Sequence, residues 1–355
     1  MENPKLTSFS HASGWAAKLS PDLLGQILCK LKIKKYENVI TDFENFEDAG
    51  IYRINDNLSI VQSVDFFTPV VDDPYIFGQI TAANSLSDIY AMGATPVTAM
   101  NIAEFPVKKL STEYLAEILK GAISKLDEAG VALIGGHTVE GEELKYGLSV
   151  TGILESTHYY SNKDAKVGDS IIITKKIGTG IVATAIKGEF AQKDIVDETI
   201  KFMTQLNKKT AEILKKYKEI HAVTDITGFG LIGHLLEVLI ASGKEAEIYI
   251  DKIEFIDEVE EYADMGLIPE GLYRNKEFYG CKTKFNDNID EIRQLLMFDP
   301  QTSGGFIIFS GKDEEDSLLN ELRKSNIVAN KIGEVIGDGK GFVYIKWGRH
   351  SWKTF

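Results

Sequence analysis

Cysteine is nearly absent: Cys29 and Cys281 are the only two in 355 residues. That excludes a disulfide framework and a thiolate metal cage, and both are expected to be buried thiols in a reducing compartment. Positive charge is also short. Lys and Arg number 39 against 53 Asp and Glu, a net charge of −14, so nucleic acid is not bound by bulk electrostatics. An acidic protein that handles an anionic substrate must neutralise it locally, with divalent cations or a few placed Lys and Arg. No run of about eighteen apolar residues offers a membrane span, and Met1-Glu2-Asn3-Pro4-Lys5 has no apolar leader core. A cytoplasmic protein without membrane contact is expected. There is no repeat at a solenoid period and no G-x-x-x-x-G-K-[ST] run, so any ATP is bound without a P-loop.

What is present is a chain too long for one core, and two domains are expected. Ser20-Pro21-Asp22 opens an amphipathic helix to about Leu31. Strand patterns follow at Gly50 to Ile54 and Ser59 to Asp65, then a helix rich in small residues ending at Gly93. A buried strand "TPVTAMNIAEFP", a surface helix from Ser111 to Glu128, and "VALIGGHTVEG", a strand ending in a polar glycine loop, come next, before the buried strand "YGLSVTGILES". The polar stretch Ser161 to Gly168 marks a domain boundary. Beyond it one helix is expected over Asp197 to Tyr217, then the strand "IHAVTDIT", the helix "GFGLIGHLLEVLIASG" and further strands. Strands and helices mix without strict alternation, which predicts a two-domain α+β or mixed α/β fold. The divisions are an active-site loop over 1–19, an N-terminal domain over 20–160, a C-terminal α/β domain over 161–346, and a tail over 347–355 that is read as strain-specific or disordered.

The oddest segment is His11-Ala12-Ser13-Gly14-Trp15-Ala16-Ala17-Lys18. Small residues ending in one Lys suit a mobile loop closing over an anion. Trp15 is either an apolar anchor for that loop or stands where a reactive side chain belongs. Asp48, Asp65, Asp88 and Asp225 recur at strand ends or beside small residues. Each alone reads as a cap or turn residue, but together, in a chain short of cations, they point to Mg²⁺ held by carboxylates beside a polyphosphate. Asp88 is the most telling because it interrupts an apolar helix. Gly135-Gly136-His137-Thr138 reads equally as an anion nest or a tight turn. His11 and His234 have no partner at metal spacing. Gly178-Thr179-Gly180 mimics a dinucleotide fingerprint, but Lys175 and Lys176 intervene and no acid ends a following strand, which argues against nicotinamide. Lys175 and Lys176 could instead sit near phosphate. Asp299-Pro300-Gln301-Thr302-Ser303-Gly304-Gly305 reads as a structural turn feeding a strand.

The ordered set "SHASGWAAKLSP", "EDAGIY", "SVDFFTPVVDDP", "AANSLSDIYAMGATP", "GGHT", "TDITGFGLIGH" and "FDPQTSGG" closely resembles bacterial selenophosphate synthetase, or selenide, water dikinase. The resemblance runs from about Leu6 to Ile345. It implies the fold of aminoimidazole ribonucleotide synthetase, in a homodimer whose N-terminal domains build a joint β-barrel. It implies conversion of ATP, selenide and water to selenophosphate, AMP and phosphate, supplying selenium for selenocysteine and selenouridine, the selenium arriving free or from a delivery protein. By position, Lys18 matches the catalytic lysine, and Asp48, Asp88 and Asp225 match magnesium ligands. Asp65 and Gly136-His137-Thr138 match nucleotide contacts, and Asn84 shares a segment with Asp88. Trp15 departs from the pattern, which carries Cys or selenocysteine there, and Ala17 replaces a second Cys. Indole has no nucleophilic lone pair. The expectation is a selenocysteine codon replaced by, or read as, tryptophan, in a chain impaired in turnover. An ATP-binding paralogue without selenophosphate synthesis and a purine-pathway synthetase of the same fold are the alternatives.

Overall fold

The computed structural model describes residues 5–10, 13–15, 18, 21–28, 30–41, 45–155 and 158–348. His11, Ala17 and Cys29 lie outside them, as does most of the tail. Helix α1 spans Pro21–Leu28.

A first sheet has the order β1 (Gly50–Asn55), β2 (Leu58–Phe67), β5 (Lys145–Leu154), β3 (Thr95–Phe105), β4 (Ala132–Glu140). All pairs are antiparallel except β3 with β4. Along β2, Val61 and Phe67 are buried while Val64 and Phe66 are exposed, the period-two pattern of a sheet with one covered face. Two helices cover that face. The first, α2 (Pro74–Ala91), starts where Asp73 accepts from the Ile76 amide at 2.9 Å, with Pro74 in its first turn. The second, α3 (Thr112–Ala129), stops at Gly130, whose φ of 76° suits glycine. They cross on a reciprocal glycine pair. A Cβ on Gly78 would lie 1.9 Å from the Ile118 carbonyl, and one on Gly121 would lie 1.9 Å from that of Tyr75. Only glycine at both positions permits the approach, and Ala at either would force the helices apart.

The second sheet runs β7 (Ile220–Asp225), β10 (Phe306–Ser310), β6 (Ser170–Ile173), β11 (Asn330–Asp338), β8 (Lys244–Tyr249), β12 (Val343–Lys346), β9 (Thr283–Phe285). It is antiparallel except that β12 runs parallel to both neighbours. Helix α7 (Gly230–Ser242) is apolar nearly all round and is buried accordingly. The first core does not stop at the domain seam. Met203 of α5 (Lys193–Thr204), Leu206 just after it, and Ala211 and Leu214 of α6 (Lys208–Leu214) pack into the same apolar cluster as Phe77 and Leu86 of α2. The architecture is the mixed α/β arrangement expected.

Three expectations are corrected. The helix expected over Asp197 to Tyr217 is two, broken at Gln205-Leu206-Asn207, because Asn207 is drawn into contacts with other elements. Gly135, Gly136, His137 and Thr138 form no loop. They lie within β4, where the glycines, with φ of 150° and 156°, adjoin a register shift against Ala99 and Met100. Cys281 is exposed, not buried, in the middle of a short helical turn. The tail begins tied down: the Gly348 amide donates to Asp251 Oδ1 at 2.6 Å, and the Arg293 guanidinium lies 5.2 Å from the Trp347 ring centre.

Candidate active site

Three carboxylates arrive from three elements: Asp48 just ahead of β1, Asp88 in the last turn of α2, and Asp225 at the end of β7. One oxygen from each lies within 4.8 Å of the others. Two of the acids are held by one hydroxyl each. Thr224 Oγ1 donates to Asp48 Oδ1 at 2.8 Å, and Ser63 donates to Asp88 Oδ2. Asp48 Oδ2 and Asp225 Oδ2 are buried without a protein partner. An unpaired buried carboxylate oxygen is costly. Two of them facing a third acid form an all-oxygen donor set that fits a hard divalent cation.

Electrostatics agree. Burial, then the charge of Asp225, pushes the Asp48 carboxyl well above the usual range. Burial, then Asp65, Asp225 and Asp48, does the same to Asp88. Asp225 is raised by burial while His234, the Ser87 hydroxyl and Lys18 pull it back. Asp65, on the covered face of β2, joins the group: burial pushes it up to about 7 against the opposing pull of Lys18. Four acids this close cannot all ionise in a dry site unless a cation joins them.

Asn84, one turn before Asp88 on α2, ties the acids to the loop. Its Nδ2 donates to Asp65 Oδ2 at 2.8 Å, and its Oδ1 accepts from Trp15 Nε1 at 3.0 Å and from the Ser303 amide at 2.8 Å. The Trp15 ring also packs on Phe67 with centres 5.4 Å apart. Lys18 Nζ sits 4.2 Å from the Phe229 ring centre and 4.9 Å from that of Trp15. Gly14 makes the approach possible. With φ of 52°, a Cβ there would fall 2.3 Å from Val70 and 2.7 Å from Thr302 Oγ1. Across the site, a Cβ on Gly228 would meet the Lys18 chain at 2.7 Å. Trp15 is therefore both a packed anchor and a hydrogen-bond donor at the edge of the carboxylates.

Some expected residues are not brought here within one chain. Gly136 shares a cross-strand row with Asp65 through Leu148 and Asn101, three strand spacings or about 14 Å away. His137 and Thr138 are exposed beside it on the edge strand. The dinucleotide-like glycines are closed off. Gln301 Oε1 accepts from the amides of Gly178 and Thr179 at 3.0 and 3.1 Å, and Asp299 Oδ2 accepts from Gly180 at 3.0 Å. The "DPQTSGG" turn thus caps the helix α4 (Thr179–Lys187) with its own polar side chains, leaving those amides no phosphate to bind. Lys176 is spent on Glu198 and Asp257. Lys175 is buried, donating to the carbonyls of Gln205 and Ser303, both at 2.8 Å. His234 is buried between Glu237, 3.1 Å from Nδ1, and Thr227, with its ring against Phe229. A surface cavity of ≈ 610 Å³ lined by Lys5, Asp72, Glu113 and Lys120 shares no residue with the cluster.

The N-terminal domain of AIR synthase related proteins matches residues 46–154, and the C-terminal domain of that family matches 166–346. A selenide, water dikinase of Pelobacter propionicus is 46% identical over 333 residues, 94% of this chain and 95% of its own. The chain belongs to the selenide, water dikinase family. A second such dikinase, from Clostridioides difficile, is 42% identical over 346 residues, 97% of this chain and 99% of its own. Among solved structures, the complex of AaThiL with AMPPCP and TMP superposes with a TM-score of 0.63 at 16% identity, covering 94% of this chain and 95% of that one. At that identity the likeness speaks for the fold alone.

Sequence reasoning missed the hydroxyl donors Ser63 and Thr224, together with Asn207 and Ser303. Thr224 adjoins Asp225, a carboxylate that was singled out, and that adjacency was the available signal.

Proposed function

We propose that this chain carries the selenide, water dikinase chemistry of its relatives, converting ATP, selenide and water to selenophosphate, AMP and phosphate, with Mg²⁺ held by Asp48, Asp88 and Asp225. The observation that carries the reading is the convergence of these acids, with unpaired oxygens, beside a segment that brings Lys18 to their edge. Bound Mg²⁺ would neutralise the polyphosphate and the charge that develops on it. The protein's part is positioning and charge. Thr224 and Ser63 orient two of the acids, each occupying one oxygen. Lys18 supplies a cation for charge growing on a transferred phosphoryl group. Asp65, held by Asn84, would accept from the nucleotide. Trp15 and Phe67 exclude water at the loop's edge, which protects a hydrolysable selenium product.

The working unit in this reading is a homodimer. Tyr52, Val64, Phe66, Met100 and Val139 are 41–56% exposed, and they share the face of the first sheet turned away from α2. A second copy laid there closes two open sheets into one barrel, and it can bring β4 with Gly136, His137 and Thr138 toward a neighbouring nucleotide.

Trp15 stands where the reacting Cys or selenocysteine of the family is expected. Its Nε1 donates to Asn84 and offers selenium no lone pair. The same bond favours the second reading, an ATP-binding paralogue that does not turn over. Calorimetry with a non-hydrolysable ATP analogue and Mg²⁺ tests binding, with a measurable heat expected and none refuting the reading. AMP and selenophosphate are then assayed for this chain and for Trp15→Cys. The substituted chain is expected to gain selenide-dependent AMP release. No AMP from either chain favours the paralogue, equal activity removes any role for position 15, and a UGG codon in the chromosome rejects a selenocysteine origin.

A further inference from the structure

Lys18 forms no ion pair with Asp48, Asp65, Asp88 or Asp225, the acids of the site it borders. Its ammonium lies instead against aromatic rings, 4.2 Å from the ring centre of Phe229 and 4.9 Å from that of Trp15. The difference matters for an anionic ligand. A salt bridge to a carboxylate would cancel the charge and occupy N–H groups before a phosphate arrived. A ring face attracts a cation through its quadrupole, weakly and without taking a conventional hydrogen bond, so the charge and the donors stay available.

Phe229 is the ring that the fold fixes. It is 8% exposed at the start of α7, with the rings of His234 and Tyr279 centred 5.5 and 6.1 Å away. A Cβ on Gly233 would lie 2.5 Å from Phe229 Cβ and 2.8 Å from Tyr279 Cε2, so glycine one turn on is what lets the ring settle there. The backbone on both sides is pinned as well. Asn275, 3% exposed on the helix Glu270–Tyr279, donates from Nδ2 to the carbonyls of Gly228 and Phe298, both at 3.0 Å. Gly230 follows with φ of 72°, and a Cβ there would fall 2.8 Å from the Asp299 carbonyl. Gly228 lets the loop close on this wall: a Cβ on it would lie 2.7 Å from Lys18 Cδ and 3.3 Å from Trp15 Cβ.

On the reading of Lys18 as the cation that meets a transferred phosphoryl group, we infer that Phe229 is its positioning residue. The ring face, held still by α7 and Asn275, keeps the ammonium beside the acids with its charge uncancelled. Trp15 supplies a second ring in this chain.

The test is acetylation of Lys18 by an N-hydroxysuccinimide ester in the full chain, mapped by mass spectrometry, with Lys108, its side chain 85% exposed, as internal standard. Phe229 is replaced by mono-, di- and trifluorophenylalanine and, separately, by leucine as Phe229→Leu. Fluorine drains the negative face of the ring and keeps its shape. Labelling of Lys18 is expected to rise in step with fluorination and to reach about 2- to 5-fold in Phe229→Leu. A rise in Phe229→Leu with none along the fluorinated series would mean lost packing alone and overturns the inference, as does unchanged labelling throughout. Thermal melts identify a Phe229→Leu protein that fails to fold, and the fluorinated chains then decide. A non-hydrolysable ATP analogue with Mg²⁺ is expected to protect Lys18 in the unaltered chain. A graded response to fluorine without that protection upholds the ring contact and overturns the phosphate reading of Lys18.

Discussion

Thr224 offers the cleanest way to perturb the site without removing a ligand. Its hydroxyl donates to Asp48 Oδ1 at 2.8 Å from a side chain 1% exposed. Thr224→Val keeps the shape and deletes the donor. Asp48 then has both oxygens unpaired by protein, where Oδ2 alone lacks a partner now. A net hydrogen bond of this kind contributes about 1 kcal/mol to stability, somewhat more to a charged acceptor, so the fold should persist with a small drop in Tm. The larger effect falls on the cation. Loss of an outer hydrogen bond lowers metal affinity about 10–100-fold, or about 1.4–2.7 kcal/mol. The assay is a Mg²⁺ titration of binding of a non-hydrolysable ATP analogue. Half-saturation should move to higher Mg²⁺ by that factor, and saturating Mg²⁺ should restore full binding, since the cation itself then aligns the carboxylate. An unchanged half-saturation point, or a loss that no Mg²⁺ concentration repairs, would refute the role assigned to Asp48 and its hydroxyl.

pH and metal should be linked in sign as well as size. Asp65 is pushed up to about 7 and Asp48, Asp88 and Asp225 are raised, chiefly by burial. Raised carboxyls contribute stability that is present below the unfolded value near 4 and lost as pH climbs through about 7, because the folded state holds the extra protons. Mg²⁺ replaces those protons, so its gain in Tm should be larger at about pH 8 than at about pH 5.5, with proton release on binding near neutrality; equal gains at both would sink this account. The exposed face of the first sheet gives a separate test. Covering Phe66, 49% exposed, is worth about 1.5–3 kcal/mol, so Phe66→Glu should shift sedimentation from dimer toward single chains. A Phe66→Glu protein that stays dimeric would show that the copies meet elsewhere.

The acids were legible because charge in an apolar pattern needs a reason. Asp88 interrupts a helix that is otherwise apolar or small, and Asp225 closes a run of buried strand residues. The strand of "GGHT" was read as a loop because its glycines look like a turn, yet a parallel partner in β3 and a bulge accommodate them in an edge strand. The break between α5 and α6 was hidden for a related reason: a helical repeat of apolar residues continues across it, and only the bonds of Asn207 to Ser87 and Gly304 show why the chain stops and restarts. Likewise the "DPQTSGG" turn could be recognised as structural, but not that Asp299 and Gln301 would fill the amides of α4.

Composition, strand and helix periodicity and the ordered motifs pointed to the fold class, the family and the three carboxylates that converge, because those properties are written in neighbouring residues. Tertiary structure alone decided which hydroxyl holds which acid, that Trp15 bonds to Asn84, and that Lys175 lies buried on the carbonyls of Gln205 and Ser303. Those pairings join residues far apart in the chain, from 25 positions for Ser63 and Asp88 to 176 for Thr224 and Asp48. Hydrogen bonds depend on distance and direction in space, and local sequence carries no record of either until the two domains have closed on each other.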